Sequence, residues 1–493
     1  MLLKDTTKIN NLTMKLLKDC LFFFLVAFIP VIGNAQNSEE PGHEIEVTIN
    51  GFRDTTLILG HYFNQRMYVD DTTRIDSNGK AVFAGQKPLP EGIYVVYLPN
   101  QRYFDLLIDE DQHFEVKTDT ADMVSSMQVK GSEQTAEFNK YQRFIIERQN
   151  KAKALQQKLQ KTDPDSDDGK KIKEQLENLN QEVKNKWMEL TEENPGTMLA
   201  LFIKGIQEIE IPEIDIPEEA TNPDSLLRIK RYQYYKNHYF DNIDLTDERI
   251  LRTPFFGRKI ENYFSSVLPQ IPDTLLKEAI RIIEISRPAP EVFRFLVSDL
   301  FNYANDSQVM GMDKMLVGLA EKYYLSGEAT WADEEFINKL ETRVKEIKPT
   351  LIGNKAHDLK MQSYNGQYFR LHELTSPVTI LVFWETDCGH CKKAIPKLNE
   401  IYQKELIDKG VEVFAVYTQG NQPEWTKFIE EHGLYDFINV WDPYRHTGFR
   451  EHYDIKSTPT IYVLGKDKKI IGKRIAVEDL PGFIDHYLST AGR

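Results

Sequence analysis

Hydrophobic and polar positions alternate in short runs between residues 44 and 118. The runs are rich in β-branched and aromatic residues: Glu44 to Ile49, Thr56 to Tyr62, Ala81 to Phe83, Ile93 to Leu98, Phe104 to Ile108 and His113 to Lys117. Turn signals separate them, among them Ser77-Asn78-Gly79-Lys80, Glu91-Gly92 and Pro99-Asn100. Strands at this spacing predict a small all-β domain over residues 40–125, a sandwich or an open barrel, with the sandwich-like arrangement expected. Beyond it the period lengthens to that of a helix. Phe138, Tyr141, Phe144 and Ile145 share one helical face, and Ile172, Leu176, Leu179, Val183 and Trp187 recur at spacings of three and four. The polar stretch from Thr162 to Gly169 joins the two, which predicts an antiparallel helical hairpin. Further helices follow, broken by Asn194-Pro195-Gly196, by the extended Ile211 to Pro217 and by prolines 269, 272, 288 and 290. An all-α domain is therefore expected over residues 130–348.

From residue 350 to 493 the two periods mix. Asp358 to Gln362 and Tyr368 to Leu371 flank Asn365-Gly366, which predicts a hairpin with a primed turn. Val378 to Trp384 is a continuous apolar run, the mark of a strand buried on both faces. A helix containing Ala394, Ile395, Leu398 and Ile401 follows, then a strand from Val411 to Tyr417 and a helix from Glu424 to His432. After Ile438 to Trp441 comes a short helical region, then strands at Ile461 to Leu464 and Ile470-Ile471, and a helix over residues 478–489. The order β-α-β-α-β-β-α predicts an α/β domain.

The first 35 residues read as a targeting segment. Lys15 and Lys18 precede the apolar run Leu21 to Ile32, and Gly33-Asn34-Ala35 provides a small-x-small cleavage site. The run falls short of the ~20 residues a spanning helix needs. A cleaved signal peptide over residues 1–35 is expected, with export to the periplasm and no stable membrane insertion afterwards. Leu17-Lys18-Asp19 is too charged for a lipidation site at Cys20. The 493 residues include 61 basic and 76 acidic ones, a net charge of −15, which disfavours nucleic acid as a partner. From Leu351 onward 18 basic residues face 19 acidic ones, so the acidity lies almost wholly ahead of the α/β segment.

Two features of the helical region suggest ligands. Asp163, Asp165, Asp167 and Glu174 match positions 1, 3, 5 and 12 of a calcium loop, but Asp168 stands where the sharp turn wants glycine and Pro164 interrupts the loop. A solvated, acidic hairpin turn is expected instead. Tyr232, Tyr235 and Tyr239 form a stripe at helical spacing, expected to be core packing.

The chemistry concentrates in Cys388-Gly389-His390-Cys391, directly after the buried strand. Cysteines at i and i+3 on the first turn of a helix lie within disulfide range. The first, at the helix N-terminus, has its thiolate favoured by the macrodipole and the free N–H groups. Cys388 is thus the expected nucleophile and Cys391 the resolving thiol. A zinc site would need two more ligands, and His432, His446 and His452 are scattered. A covalent haem would need histidine where Lys392 stands. No metal and no cofactor other than a Cys388–Cys391 disulfide is expected.

Phe383-Trp384, the Cys-Gly-His-Cys motif, Pro396 inside the following helix and the distant Thr458-Pro459 resemble the thioredoxin superfamily. The leading hairpin and the inserted βα unit resemble its TlpA/ResA branch of extracytoplasmic thiol–disulfide oxidoreductases. The whole arrangement is similar to multidomain proteins of that type from Bacteroidetes. The resemblance implies a cis Pro459 facing the dithiol, and a Thr458 backbone that pairs with substrate. Trp384 and Gly389 are implied substrate contacts, and His390 an implied tuning residue. Partners would be protein thiols or disulfides and a further redox protein. Two departures stand out. The buried aspartate that thioredoxins carry before Phe-Trp is Val382 here, and the glutamate of many TlpA-like proteins is Ala394. The usual proton acceptor for the resolving thiol is thus missing from both places; Glu385 or Asp387 could serve instead, but each is expected to be a solvated loop charge. A peroxiredoxin would show proline and threonine upstream of its cysteine, where Leu381 and Glu385 stand. The alternative function is a redox-sensing scaffold whose helical domain recruits a partner.

Overall fold

The computed structural model of the protein describes residues 42–490. The expected signal peptide, its cleavage site and Cys20 lie outside the described residues. The N-terminal domain packs two four-stranded sheets face to face. One has the order β4-β1-β7-β8, from Lys80–Gly85 (β4), His43–Asn50 (β1), His113–Asp119 (β7) and Gln128–Lys130 (β8). The other has the order β3-β2-β5-β6, from Arg66–Arg74 (β3), Thr56–Phe63 (β2), Gly92–Tyr97 (β5) and Tyr103–Ile108 (β6). Ile45, Val47, Leu57, Leu59, Phe83, Val96, Phe104 and Val116 fill the space between the sheets. Two separate sheets make this a sandwich, the first of the two arrangements the alternation allows, and not an open barrel. β3 does not show in the pattern. It is an edge strand with exposed Met67, Tyr68 and Val69, followed by Asp70-Asp71, so no apolar alternation marks it.

β5 is apolar throughout because it is covered on both faces. Ile93, with Leu107 of β6, packs against Phe138, Tyr141, Leu190, Met198 and Ile203 of the helical region. Those residues lie on α1 (Glu133–Leu159), α2 (Asp167–Glu193) and α3 (Met198–Ile206). α1 and α2 form the expected hairpin. Its turn is built for capping: the Ser166 hydroxyl accepts from the Gly169 N–H at 3.1 Å, and Asp163 Oδ1 accepts from the Asp165 N–H at 3.0 Å. A Cβ on Gly169 would stand 2.2 Å from the Asp163 carbonyl oxygen, so the turn demands glycine there. The tyrosine stripe divides. Tyr239 is buried in the helical core beside Tyr263, but Tyr232 is exposed, because its helix α4 (Pro223–His238) has no fully buried position.

The C-terminal domain is built on a seven-stranded sheet of order β10-β9-β13-β12-β11-β14-β15. Its strands are Lys360–Ser363 (β9), Tyr368–Arg370 (β10), Val378–Trp384 (β11), Glu412–Tyr417 (β12), Ile438–Trp441 (β13), Thr460–Gly465 (β14) and Ile470–Lys473 (β15). The expected order contains one strand fewer. The four residues of β13 form a strand between β12 and the hairpin, too short for a period of their own. The hairpin turn is also not a primed one. The Gly366 N–H donates to the Ser363 carbonyl at 2.9 Å, and only Gly366 has positive φ, +89°. That is an ordinary turn followed by a left-handed glycine, the three-residue hairpin.

β11 lies inside the sheet, parallel to β12 on one side and antiparallel to β14 on the other. Its side chains alternate between two cores. Val378, Ile380, Val382 and Trp384 meet Ile395, Leu398, Trp425, Ile429 and Ile484, from the helices α5 (Cys391–Ile401), α6 (Gln422–His432) and α7 (Leu480–Thr490). Leu381 and Phe383 meet Phe414, Tyr462, Phe449 and Tyr453 on the other face. Residues 353–356 run along the outer edge of β15 and exchange backbone hydrogen bonds with Lys468 and Ile470, so that edge is covered.

Candidate active site

The central strand delivers the dithiol. β11 ends at Trp384, and four residues later Cys388 opens the first turn of α5, its carbonyl accepting from the Lys392 N–H at 3.1 Å. Cys388 Sγ accepts from the Cys391 N–H at 3.3 Å, in the position of an N-capping group. Cys388 is half-buried and Cys391 is wholly buried. The two thiols are free in this structure. The Cys388 thiol donates to the Thr458 carbonyl at 3.0 Å, and the Thr458–Pro459 peptide bond is cis. Thr458 and Pro459, from the segment that leads into β14, thus stand against the first cysteine.

The two thiols differ electrostatically. Partial burial opposes ionisation of Cys388. Hydrogen bonding from Cys391, the Thr458 side chain and the Cys391 and His390 backbone outweighs it and holds the thiol below its ordinary value. Burial pushes Cys391 the other way, up to about 12, helped by its hydrogen bond with Cys388 and opposed by the Glu385 backbone and Thr458. The two sulfurs are thus unlike: the half-buried Cys388 thiol ionises more easily than an ordinary thiol, and the buried Cys391 thiol less easily.

The remaining expected site residues occupy distinct places. Gly389 and His390 are exposed on the turn, and a Cβ at residue 389 would meet nothing within 4 Å. It is the His390 backbone that bears on Cys388. Trp384 lies beneath the site, fully buried between Tyr417 and Phe428 with ring centroids 5.8 and 5.0 Å away. Its place is that of a floor rather than a contact surface. Pro396 stands inside α5. Val382 and Ala394 sit where the two departures put them, Val382 fully buried.

Glu385 differs from the expectation of a solvated charge. It is half-buried, and its carboxylate accepts from Thr418 Oγ1 at 2.6 Å and from Thr458 Oγ1 at 3.4 Å, with Arg450 Nη2 3.9 Å away. These partners are 33, 73 and 65 residues further along the chain, which is why no local pattern announces them. Asp387 does remain exposed, accepting from Gln419 Nε2 at 2.6 Å. Among the described residues no cluster of three or more His, Cys, Asp or Glu could hold a metal, and no helix is long and apolar enough to cross a membrane.

Residues 352–473 match the AhpC/TSA family, and residues 43–138 match a domain of unknown function, DUF4369. Over 135 residues the chain is 33% identical to a protein from Geobacillus thermodenitrificans named thiol-disulfide oxidoreductase ResA, a match covering 26% of this chain and 74% of that one. The ResA of Bacillus cereus is 29% identical over 136 residues, 27% of this chain and 76% of that one. A solved domain of a possible thiol-disulfide isomerase from Cytophaga hutchinsonii is 39% identical with a TM-score of 0.28, covering 29% of this chain and 96% of that structure. A thioredoxin-like protein from Bacteroides caccae is 20% identical with a TM-score of 0.42, covering 57% of this chain and 99% of that one.

Proposed function

Because the chain belongs, through its C-terminal domain, to the ResA-like thiol–disulfide oxidoreductases of the thioredoxin superfamily, we propose that it is an exported enzyme exchanging disulfides with protein substrates through Cys388 and Cys391. The observation that carries this reading is the split between the two thiols. Cys388 is accessible, capped by backbone N–H and depressed in pKa, while Cys391 is buried three residues on and pushed up to about 12.

In the reducing direction the Cys388 thiolate attacks one sulfur of a substrate disulfide. A Cys388–substrate disulfide forms, and the other substrate sulfur leaves as a thiolate that takes a proton. Cys391 then loses its proton and attacks Cys388 Sγ. The Cys388–Cys391 disulfide forms and the second substrate sulfur leaves. Run backward, the same steps oxidise a dithiol. The Thr458 carbonyl, which accepts from the Cys388 thiol, would in this reading accept from the backbone of a substrate strand laid beside it. The AhpC/TSA match is compatible with this chemistry. Cys388 lacks the proline and threonine of a peroxidatic centre and has a resolving cysteine on its own helical turn. Export is supported by the apolar segment Leu21 to Ile32 and the small residues after it.

Insulin reduction by the chain lacking residues 1–35, with a dithiol as electron source, tests the proposal. Cys388→Ser should abolish turnover. Turnover equal to wild type in that variant would end the reading.

A further inference from the structure

The segment that carries Thr458 has little backbone structure to hold it. Between the short helix Phe449–His452 and β14, residues 454–459 form neither helix nor strand. Among the described residues they make one backbone–backbone hydrogen bond, from the Ile455 N–H to the Tyr453 carbonyl at 2.8 Å. Yet the Thr458 carbonyl stands 3.0 Å from Cys388 Sγ. A segment without a ladder takes its position from its side chains.

Two of those side chains are held from the helical region. Asp454 and Lys456 lie four and two residues before Thr458, and both meet the helix Glu334–Ile347. Arg343 of that helix grips the buried Asp454 carboxylate in a fork, at 2.6 and 2.9 Å. A fork fixes orientation as well as distance, which a single contact does not. Three residues further along the same face, Glu346 accepts from Lys456 Nζ at 2.5 Å and from Arg343 Nη1 at 3.2 Å. Within the α/β domain, Arg474 Nη2 reaches Asp454 Oδ2 at 2.6 Å, and the Arg474 N–H donates to the Ile461 carbonyl of β14 at 2.8 Å. Thr460 Oγ1 donates to the Ser457 carbonyl at 2.5 Å, and Glu385 accepts from Thr458 Oγ1 at 3.4 Å. The fork from Arg343 is the one bidentate contact among these anchors.

We propose that the helix Glu334–Ile347 belongs to the substrate-binding machinery of the redox domain. Through Arg343 and Glu346 it holds residues 454–458 and so places the Thr458 carbonyl for a substrate strand. Both are positioning residues, acting through Asp454 and Lys456 rather than on substrate. The proposal rests on the reading of the chain as a thiol–disulfide oxidoreductase that attacks through Cys388. A protein substrate, which lays its backbone beside Thr458, depends on this helix. A small disulfide that needs only Cys388 does not.

The test compares insulin with dithiobis(nitrobenzoate), a small disulfide, on the chain lacking residues 1–35, at a temperature where circular dichroism shows the variants folded. Arg343→Met should raise KM for insulin about 5- to 10-fold, the scale of one or two misplaced backbone hydrogen bonds, and change kcat less than about twofold. Its rate with dithiobis(nitrobenzoate) should stay within about twofold of wild type. Glu346→Gln breaks only an exposed pair, costs little stability and should raise KM about two- to threefold. It decides the matter by itself if Arg343→Met does not fold. Asp454→Asn should match Arg343→Met, and the double variant should be no worse than either, because the two residues act through one contact. Arg249→Met is the control: it breaks an ion pair with Glu91 at 2.7 Å, ahead of the redox domain, and should leave KM unchanged. An unchanged KM in folded Arg343→Met, additive losses in the double variant, or an equal rise in Arg249→Met would overturn the proposal. So would equal slowing with dithiobis(nitrobenzoate), which would place the damage at Cys388. Insulin turnover persisting in Cys388→Ser would instead overturn the underlying reading, so the two failures are distinct.

Discussion

Asp454 lies four residues before Thr458, and the interactions that hold it cross from the helical region into the redox domain. Its buried carboxylate receives Arg343 in a fork, Nη1 to Oδ1 at 2.6 Å and Nη2 to Oδ2 at 2.9 Å, and Arg474 Nη2 at 2.6 Å. Arg343 belongs to the helix Glu334–Ile347, and on the same helix Glu346 pairs with Lys456 at 2.5 Å. The perturbation to make is Arg343→Met. It keeps the aliphatic packing and leaves Asp454, 4% exposed, with Arg474 alone. Removing one partner of a buried ion pair costs about 3–5 kcal/mol. Arg474 remains as a partner, so the cost falls at or just below the bottom of that range, about 2–3 kcal/mol.

For a domain of this size about 1 kcal/mol moves Tm by roughly 3 °C, which predicts a fall of about 6–9 °C in the transition of the α/β domain. Calorimetry on the intact chain reads it. A second arm uses pH. Burial opposes ionisation of Asp454, but the hydrogen bonds and charge of Arg343, with the charges of Arg474 and Lys456, outweigh it and hold its carboxyl below the usual range. A depressed carboxyl stabilises the fold above its unfolded pKa, about 3.9, and loses that contribution as pH falls through the lower folded value. The gap between wild type and Arg343→Met should therefore be full at neutral pH and close in acid. The double variant Arg343→Met/Asp454→Asn should recover part of the loss, because no buried charge is then left short of partners. A shift under 1 °C in the single variant, or a gap that persists undiminished below pH ~3, would refute the reasoning.

His390 offers a test of what depresses Cys388. Its backbone bears on the sulfur, so His390→Ala should leave the Cys388 pKa near wild type, while His390→Pro, which removes the N–H, should raise it and lower the redox potential by tens of millivolts. Thiolate absorbance across a pH titration and equilibration against glutathione check this, and equal shifts in both variants would assign the effect to the imidazole. Asp105, beside the Tyr62 hydroxyl at 3.3 Å, is pushed up to about 6 by burial, against the bond from Tyr62. A raised carboxyl destabilises the fold as pH climbs from the unfolded value to the folded one. Asp105→Asn should therefore raise Tm at pH ~8, by up to about 2 kcal/mol of stability, and change little near pH ~4. A benefit of equal size at both pH values would show that charge is not the cause.

Local pattern made the redox domain readable. Val378 to Trp384 is apolar without a break because both faces are buried, so its bounds and its burial could be read directly. Cys388 and Cys391 follow at a spacing that has few chemical uses. What escaped depends on partners distant in the chain or on exposure. β3 is polar because it is an edge, β13 is four residues long, and Tyr232 faces water although its spacing matches that of Tyr239. Glu385 and Arg343 look like any surface charge in a linear reading, and their partners lie 73 and 111 residues away. A one-dimensional pattern records periodicity and local turns, but not which polar groups the fold brings together.

The central claim is that Cys388 attacks and Cys391 resolves. Trapping tests it most directly: Cys391→Ser and, separately, Cys388→Ser are exposed to disulfide-bearing protein substrate, and the adducts are located by mass spectrometry of the peptides. The account predicts abundant mixed disulfides through Cys388 in the first variant and almost none in the second, where the remaining thiol is buried and pushed up to about 12. Adducts accumulating on Cys391 in the Cys388→Ser variant, at a level comparable to the first, would contradict it.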